Sequence, residues 1–141
     1  MLRTVCKSKI HGATITEANV GYTGSVTLDT ELMRAVDLVP YEQVHVLNLT
    51  NGERIQTYCI EGPPGSGIVC INGAAAHLMA VGEKVIILSY VQLTASELEG
   101  FTPRVFVVDG KNRIQQVVSP AAPAAGWPAE EDDGPSLGRL S

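Results

Sequence analysis

The dipeptide Asn51-Gly52, set between the alternating runs 43–49 and 54–60, constrains this chain more than any other local feature. Asn and Gly both tolerate positive φ, which a tight hairpin demands, so the chain is expected to fold back there and pair the two runs as antiparallel strands. The same grammar recurs elsewhere: short stretches rich in Val, Ile, Thr and Tyr, closed off by Gly, Pro or Asn. Such stretches read as strands. They cover 2–7, 13–20, 25–28, 43–49, 54–60, 68–71, 85–93 and 105–108. Helices are expected only as short pieces, at 30–36 behind Asp29 as cap, at 95–99 behind Thr94, and at 74–79. Many short strands with few helices predict a mainly β fold, closed into a small barrel because closure removes exposed strand edges.

At 141 residues, 45% of them hydrophobic, the chain can bury one core of ordinary size. Ten Lys and Arg stand against 15 Asp and Glu, for a net charge of -5. With no basic stripe, a nucleic-acid partner is not expected, because phosphates need clustered cations. After Val118 the apolar alternation gives way to Pro and Ala and then to Glu130, Glu131, Asp132 and Asp133. A body over 1–118 and a flexible tail over 119–141 are therefore expected. The start carries Arg3, Lys7 and Lys9 without an uninterrupted apolar run, which argues against a signal peptide. No stretch approaches the roughly 20 apolar residues of a membrane-spanning helix. A cytoplasmic protein is the expectation, and Cys6, Cys59 and Cys70, odd in number and without paired spacing, read as reduced thiols. His11, His45 and His77 lack ligand spacing, so no metal is expected.

Reactive residue types gather in a few places. At Gly24-Ser25 the glycine has no Cβ, which leaves its carbonyl open to the hydroxyl of the next residue, although most such steps are merely turns. Ser25 stands in no G-x-S-x-G elbow and beside no evident base, which argues against a serine hydrolase. Along 54–60, alternation puts Arg54 and Tyr58 on one face and Thr57 on the other. A guanidinium can grip a carboxylate at two points, and a phenol can donate a proton. Lys9 and His11 share a face in the same way. In Asn72-Gly73-Ala74-Ala75-Ala76-His77 the small residues let backbone N–H groups approach a ligand, or else simply fill a cramped turn. The 62–67 loop holds two prolines and no following Gly-Lys-Ser/Thr, so it is not a phosphate loop.

Taken in order, Lys9, His11, Tyr22, Gly24-Ser25, Asn51-Gly52, Arg54, Thr57-Tyr58 and the Asn72 to His77 block closely resemble the bacterial aspartate 1-decarboxylase family, from residue 1 to about residue 115. The resemblance implies a double-psi β-barrel that assembles as a homotetramer with sites between subunits. It implies a proenzyme that cuts itself between Gly24 and Ser25, Thr57 assisting, and converts Ser25 into a covalent pyruvoyl group. That group would form a Schiff base with L-aspartate and accept electrons as the α-carboxylate leaves, giving β-alanine for pantothenate synthesis. Lys9 and Arg54 would clamp the substrate, Thr57, Gly73, Ala74 and Ala75 would contact it, and Tyr58 would return the proton. His11, Tyr22 and Asn72 would support the site, and no metal takes part. The need for a maturation factor is left open. The alternative is a non-catalytic barrel, a processing-deficient relative or a binding module, in which the Gly24–Ser25 bond stays whole.

Overall fold

The structure is a computed structural model, and it describes residues 1–120. Branched residues in alternation form the strands β1 (Arg3–Thr14), β2 (Glu17–Asn19), β3 (Ser25–Asp29), β4 (Gln43–Asn48), β5 (Arg54–Gly62), β6 (Val69–Asn72), β7 (Lys84–Leu93), β8 (Arg104–Val108) and β9 (Ile114–Ser119). Helical pieces are short: α1 (Thr30–Ala35), α2 (Ala95–Leu98) and a 3₁₀ turn over Gly73–His77.

The strands neighbour one another in the order β2-β6-β3-β5-β4-β7-β1-β8-β9. β2 is the continuation of β1 past a bend, where the Ile15 amide donates to the Glu83 carbonyl (3.0 Å) and the Thr16 amide to the Val69 carbonyl (2.8 Å). That single path therefore meets β7 on one side and β6 on the other, and the ring closes on itself. β6 lies between β2 and β3, and β5 between β3 and β4, so strands consecutive in sequence are parted by later ones. The pairs β2·β6 and β3·β5 are parallel, whereas β3·β6, β4·β5, β4·β7 and β1·β7 are antiparallel. This interleaved, closed sheet is the mainly β, double-psi barrel that the sequence led us to expect. Ile10, Val26, Leu28, Val44, Ile71 and Ile87 fill it and are fully buried, each contributing about 1.5–3 kcal/mol by leaving water. β8 runs parallel to β1 outside the ring, and β9 pairs with β8.

Several local expectations are corrected. The runs 2–7 and 13–20 divide at a different place: β1 is continuous from Arg3 through Gly12 to Thr14, with φ of 83° at Gly12 and a bulge between His11 and Ala13 absorbing the irregularity, and only Glu17–Asn19 of the second run forms a separate strand, β2. The 43–49 and 54–60 runs do pair as a hairpin, but only Gly52 takes positive φ, at 78°. Asn51 works through its side chain, accepting from the Glu53 amide (2.9 Å) and donating to the Leu78 carbonyl (2.9 Å). β9 went unanticipated; it runs to Ser119, and residues 121–141 of the expected tail lie outside those described.

Both predicted caps are present. Asp29 accepts from the Glu31 amide at the start of α1 (2.9 Å), and Thr94 with Glu97 forms a reciprocal capping box on α2. The amides of the 62–67 loop turn inward: Gly65 (2.9 Å) and Gly67 (2.8 Å) donate to the Asp29 carboxylate. Burial of Asp29 works to raise its pKa, but these N–H donors overcome it and the net shift is downward. Cys6, Cys59 and Cys70 are free thiols. Burial pushes all three pKa values up, Cys59 to about 11, which keeps them protonated and poorly nucleophilic. No helix among the described residues is long and apolar enough to cross a membrane.

Candidate active site

Ser25 opens β3 and stands opposite Asn72 at the end of β6. Its side chain is buried, with the residue only 5% exposed. Asn72 Nδ2 donates to both Ser25 Oγ (3.0 Å) and Thr27 Oγ1 (3.0 Å). On its other side Asn72 Oδ1 accepts from Cys70 Sγ (3.3 Å), and Cys70 Sγ accepts from Asn19 Nδ2 (3.4 Å). Burial and then the charge of Glu17 push the Cys70 pKa up, so the thiol keeps the proton it donates. A chain of hydrogen bonds thus fixes the oxygen of Ser25 in place.

Gly24 is pressed against Gly73. Gly73 has φ of +81°, and a Cβ there would lie 2.7 Å from Gly24 Cα, 2.8 Å from Gly24 N and 2.9 Å from the Tyr22 carbonyl oxygen. Only glycine fits both the conformation and the contact. Ser25 opens into a cleft of about 540 Å³ with Tyr22, Thr27, Tyr41, Tyr58 and Asn72 on its walls. The Tyr41 and Tyr58 rings face each other at 6.1 Å. A second cleft of about 420 Å³ is lined by Gly24, Thr57, Asn72, Ala74 and Ala75. Asn72 borders both.

The remaining expected residues lie apart from Ser25. Arg54 is exposed at the start of β5 and lines a third cleft, of about 480 Å³, with His45 and Tyr90. Its Nε donates to His45 Nδ1 (3.3 Å) and its Nη2 to Tyr90 Oη (3.1 Å). Lys9 and His11 pair with Leu88 and Ile86 of β7 and share a face of β1, as alternation requires. Neither lines any of the three clefts. Lys9 is 2% exposed, and no carboxylate among the described residues bridges to it. Burial pushes its pKa down, and burial followed by the charge of Lys9 does the same to His11, whose buried Nδ1 has no hydrogen-bond partner. One chain therefore gathers Ser25, Tyr22, Tyr58 and Asn72, with Gly24, Thr57, Ala74 and Ala75 adjoining, and leaves Arg54, Lys9 and His11 elsewhere.

Sequence reasoning missed Thr27, Cys70, Asn19, His45 and Tyr90. Thr27 and Cys70 each lie two residues along a strand from a recognised site residue, so alternation alone could have flagged them. His45 and Tyr90 reach Arg54 from other strands, and only the register reveals that. No group of His, Cys, Asp or Glu among the described residues is arranged to hold a metal ion.

The sequence model of the family described as aspartate decarboxylase matches residues 1–115. The chain belongs to the aspartate decarboxylase family. Aspartate 1-decarboxylase of Pelotomaculum thermopropionicum is 52% identical over 117 residues, covering 83% of this chain and 89% of that protein. Aspartate 1-decarboxylase of Listeria monocytogenes serotype 4a is 49% identical over 118 residues (84% and 93%). Aspartate 1-decarboxylase of Neisseria meningitidis serogroup C is 50% identical over 119 residues (84% and 94%).

Proposed function

We propose that this member of the aspartate decarboxylase family removes the α-carboxylate of L-aspartate to give β-alanine and CO2, and that it does so after cutting its own chain at Gly24-Ser25. The observation that carries the reading is the buried Ser25 hydroxyl, held by Asn72 beside a glycine whose backbone is gripped by Gly73.

For the cut, Ser25 Oγ attacks the Gly24 carbonyl carbon; the peptide C–N bond breaks as the ester C–O bond forms. Elimination then releases the Gly24 carboxylate, and hydrolysis of the dehydrated residue releases ammonia. Thr57, on the wall of the cleft that holds Gly24, is suited to donate to the oxygen that becomes negative. The pyruvoyl group left at position 25 supplies a carbonyl for the substrate amine and an electron sink when CO2 departs. Oγ departs with the Gly24 carboxylate, and the ketone oxygen takes the place of the Ser25 nitrogen on Cα. The residues fit such a group, because the cleft of about 540 Å³ into which residue 25 opens offers neutral donors in Tyr58 and Asn72 and no group that would displace a carbonyl.

Tyr58 lines the cleft into which Ser25 opens and returns a proton to the substrate carbon. Lys9 is a buried cation with no carboxylate of its own, and Arg54 keeps an open guanidinium edge; both suit a substrate carboxylate. The backbone of Gly73, Ala74 and Ala75 adds contacts, while His11 and Tyr22 frame the site. Because Lys9 and Arg54 do not line the Ser25 cleft, we assign the complete site to the boundary between copies of this chain in a homotetramer. The cytoplasm, where pantothenate precursors are made, suits this role.

Intact-mass spectrometry of the purified protein tests the reading. It should show pieces 1–24 and 25–141, the second lighter by one ammonia than a serine-ended fragment. Ser25→Ala should stay whole and inactive. A whole chain that forms β-alanine at full rate overturns the mechanism, and a whole chain without activity leaves the non-catalytic barrel. Addition of cell extract to a slow-cutting sample reports any maturation factor.

A further inference from the structure

We infer that His45 and Tyr90 are positioning residues for Arg54, holding its guanidinium by one edge so that the other faces a carboxylate. The inference rests on the proposed role of Arg54 in gripping substrate. An exposed arginine ordinarily samples many rotamers, and a ligand must then freeze it at an entropic cost. Here Arg54 is held from two neighbouring strands. His45 comes from β4 and Tyr90 from β7, and their rings meet edge to face at 5.3 Å and 82°. Nε and Nη2 belong to the same side of the guanidinium, and they are the atoms that donate to His45 Nδ1 (3.3 Å) and Tyr90 Oη (3.1 Å).

The consequence is a division of labour within one side chain. The side edge is filled, while the end fork, made by Nη1 and the outward hydrogen of Nη2, has no partner among the described residues. That fork matches the two oxygens of a carboxylate. Both partners are neutral acceptors, so the positive charge is not cancelled, and no acid among the described residues bridges to Arg54. The cleft beside it adds Thr4, Gln43 and Gln92, none of them negative. To accept through Nδ1, His45 carries its proton on Nε2. The ligand that this arrangement fits is one carboxylate of an amino-acid substrate.

The experiment compares His45→Leu, His45→Asn, Tyr90→Phe and Arg54→Ala in steady-state decarboxylation of L-aspartate by the processed enzyme. Loss of one charge-assisted hydrogen bond should raise KM by about fivefold to tenfold in His45→Leu, with kcat moved by less than about twofold. Tyr90→Phe should act in the same direction. His45→Asn places an amide oxygen where Nδ1 stood and should recover most of the loss. Self-cleavage at Gly24-Ser25 should run normally in all four, which guards against misfolding. If Arg54→Ala raises KM while His45→Leu and Tyr90→Phe leave it untouched, the positioning role is overturned and the grip by Arg54 stands. Equal effects of His45→Leu and His45→Asn overturn it too, because packing alone would then explain both. An unchanged KM in Arg54→Ala removes the grip itself.

Discussion

Gly73→Ala is the sharpest probe of how the Gly24 carbonyl is presented to Ser25. With φ of +81° at position 73, alanine costs about 1–2 kcal/mol in conformation before any contact is considered. The contact is worse, since the new Cβ would stand 2.7 Å from Gly24 Cα and 2.8 Å from Gly24 N. Carbon atoms prefer about 3.5 Å or more, so Gly24 must retreat by roughly 0.8 Å, and backbone cannot swing aside as a side chain does. Ser25 Oγ stays tethered to Asn72 while its target moves. A misplacement of about 1 Å in attack geometry can cost roughly a hundredfold, and self-cleavage should slow by about that factor. The assay is a denaturing gel of freshly made protein sampled over time, with intact mass to identify the pieces and a melting curve to show that the variant folds. Cleavage at the wild-type rate in a variant whose melting temperature has dropped would refute the claim that the Gly73–Gly24 contact sets the attack geometry.

Tyr58→Phe should process normally and then turn over about 10²- to 10⁴-fold more slowly, the usual contribution of a positioned proton donor; near-normal kcat assigns the proton to another group. Lys9→Met should abolish efficient turnover yet raise stability at neutral pH by about 1 kcal/mol or more, since it removes a buried, unpaired ammonium; thermal melting and kinetics on one preparation check both halves. Asp29 has a native pKa below the ordinary carboxylate value, so its contribution is present in full above that value and is lost as pH falls through the lower native one. Asp29→Asn should therefore cost about 1.5–3 kcal/mol at neutral pH and flatten the acid limb of a melting-temperature profile. An unaltered profile would show that the 62–67 loop does not depend on that charge.

The barrel was legible because its strands carry branched residues in alternation and because Asn51-Gly52 marks a hairpin. β1 was expected to stop near residue 7, whereas it runs on through Gly12, whose positive φ keeps the path within the sheet, to Thr14, and the second run supplies β2 only over Glu17–Asn19. β9 was missed because Ile114-Gln115-Gln116-Val117-Val118 has no clean alternation, and its place is set by pairing with β8. At the site, Ser25, Tyr58, Thr57 and Asn72 could be picked out in order along the chain, and the folded chain does bring them to adjoining clefts. What alternation could not supply is which faces meet. Lys9 and Arg54 each carry the expected charge, yet β1 and β5 are not neighbours in the ring, and nothing local to either strand records that. The burial of Lys9 was equally hidden, since a lysine in a strand ordinarily keeps its head in water.

The path formed by β1 and β2 carries a thermodynamic consequence. Its partners are β7, β8 and β6, all of them beyond Ser25 in the chain. A break after Gly24 turns this path into a separate peptide whose every ladder is to the other piece. The mature barrel is then a complex of two polypeptides: unfolding it is a dissociation, and its midpoint climbs with protein concentration, whereas the uncut Ser25→Ala chain, as an isolated barrel, obeys a first-order balance. Denaturation of the processed form therefore risks losing the small peptide on dilution, and recovery would require both pieces to find each other again.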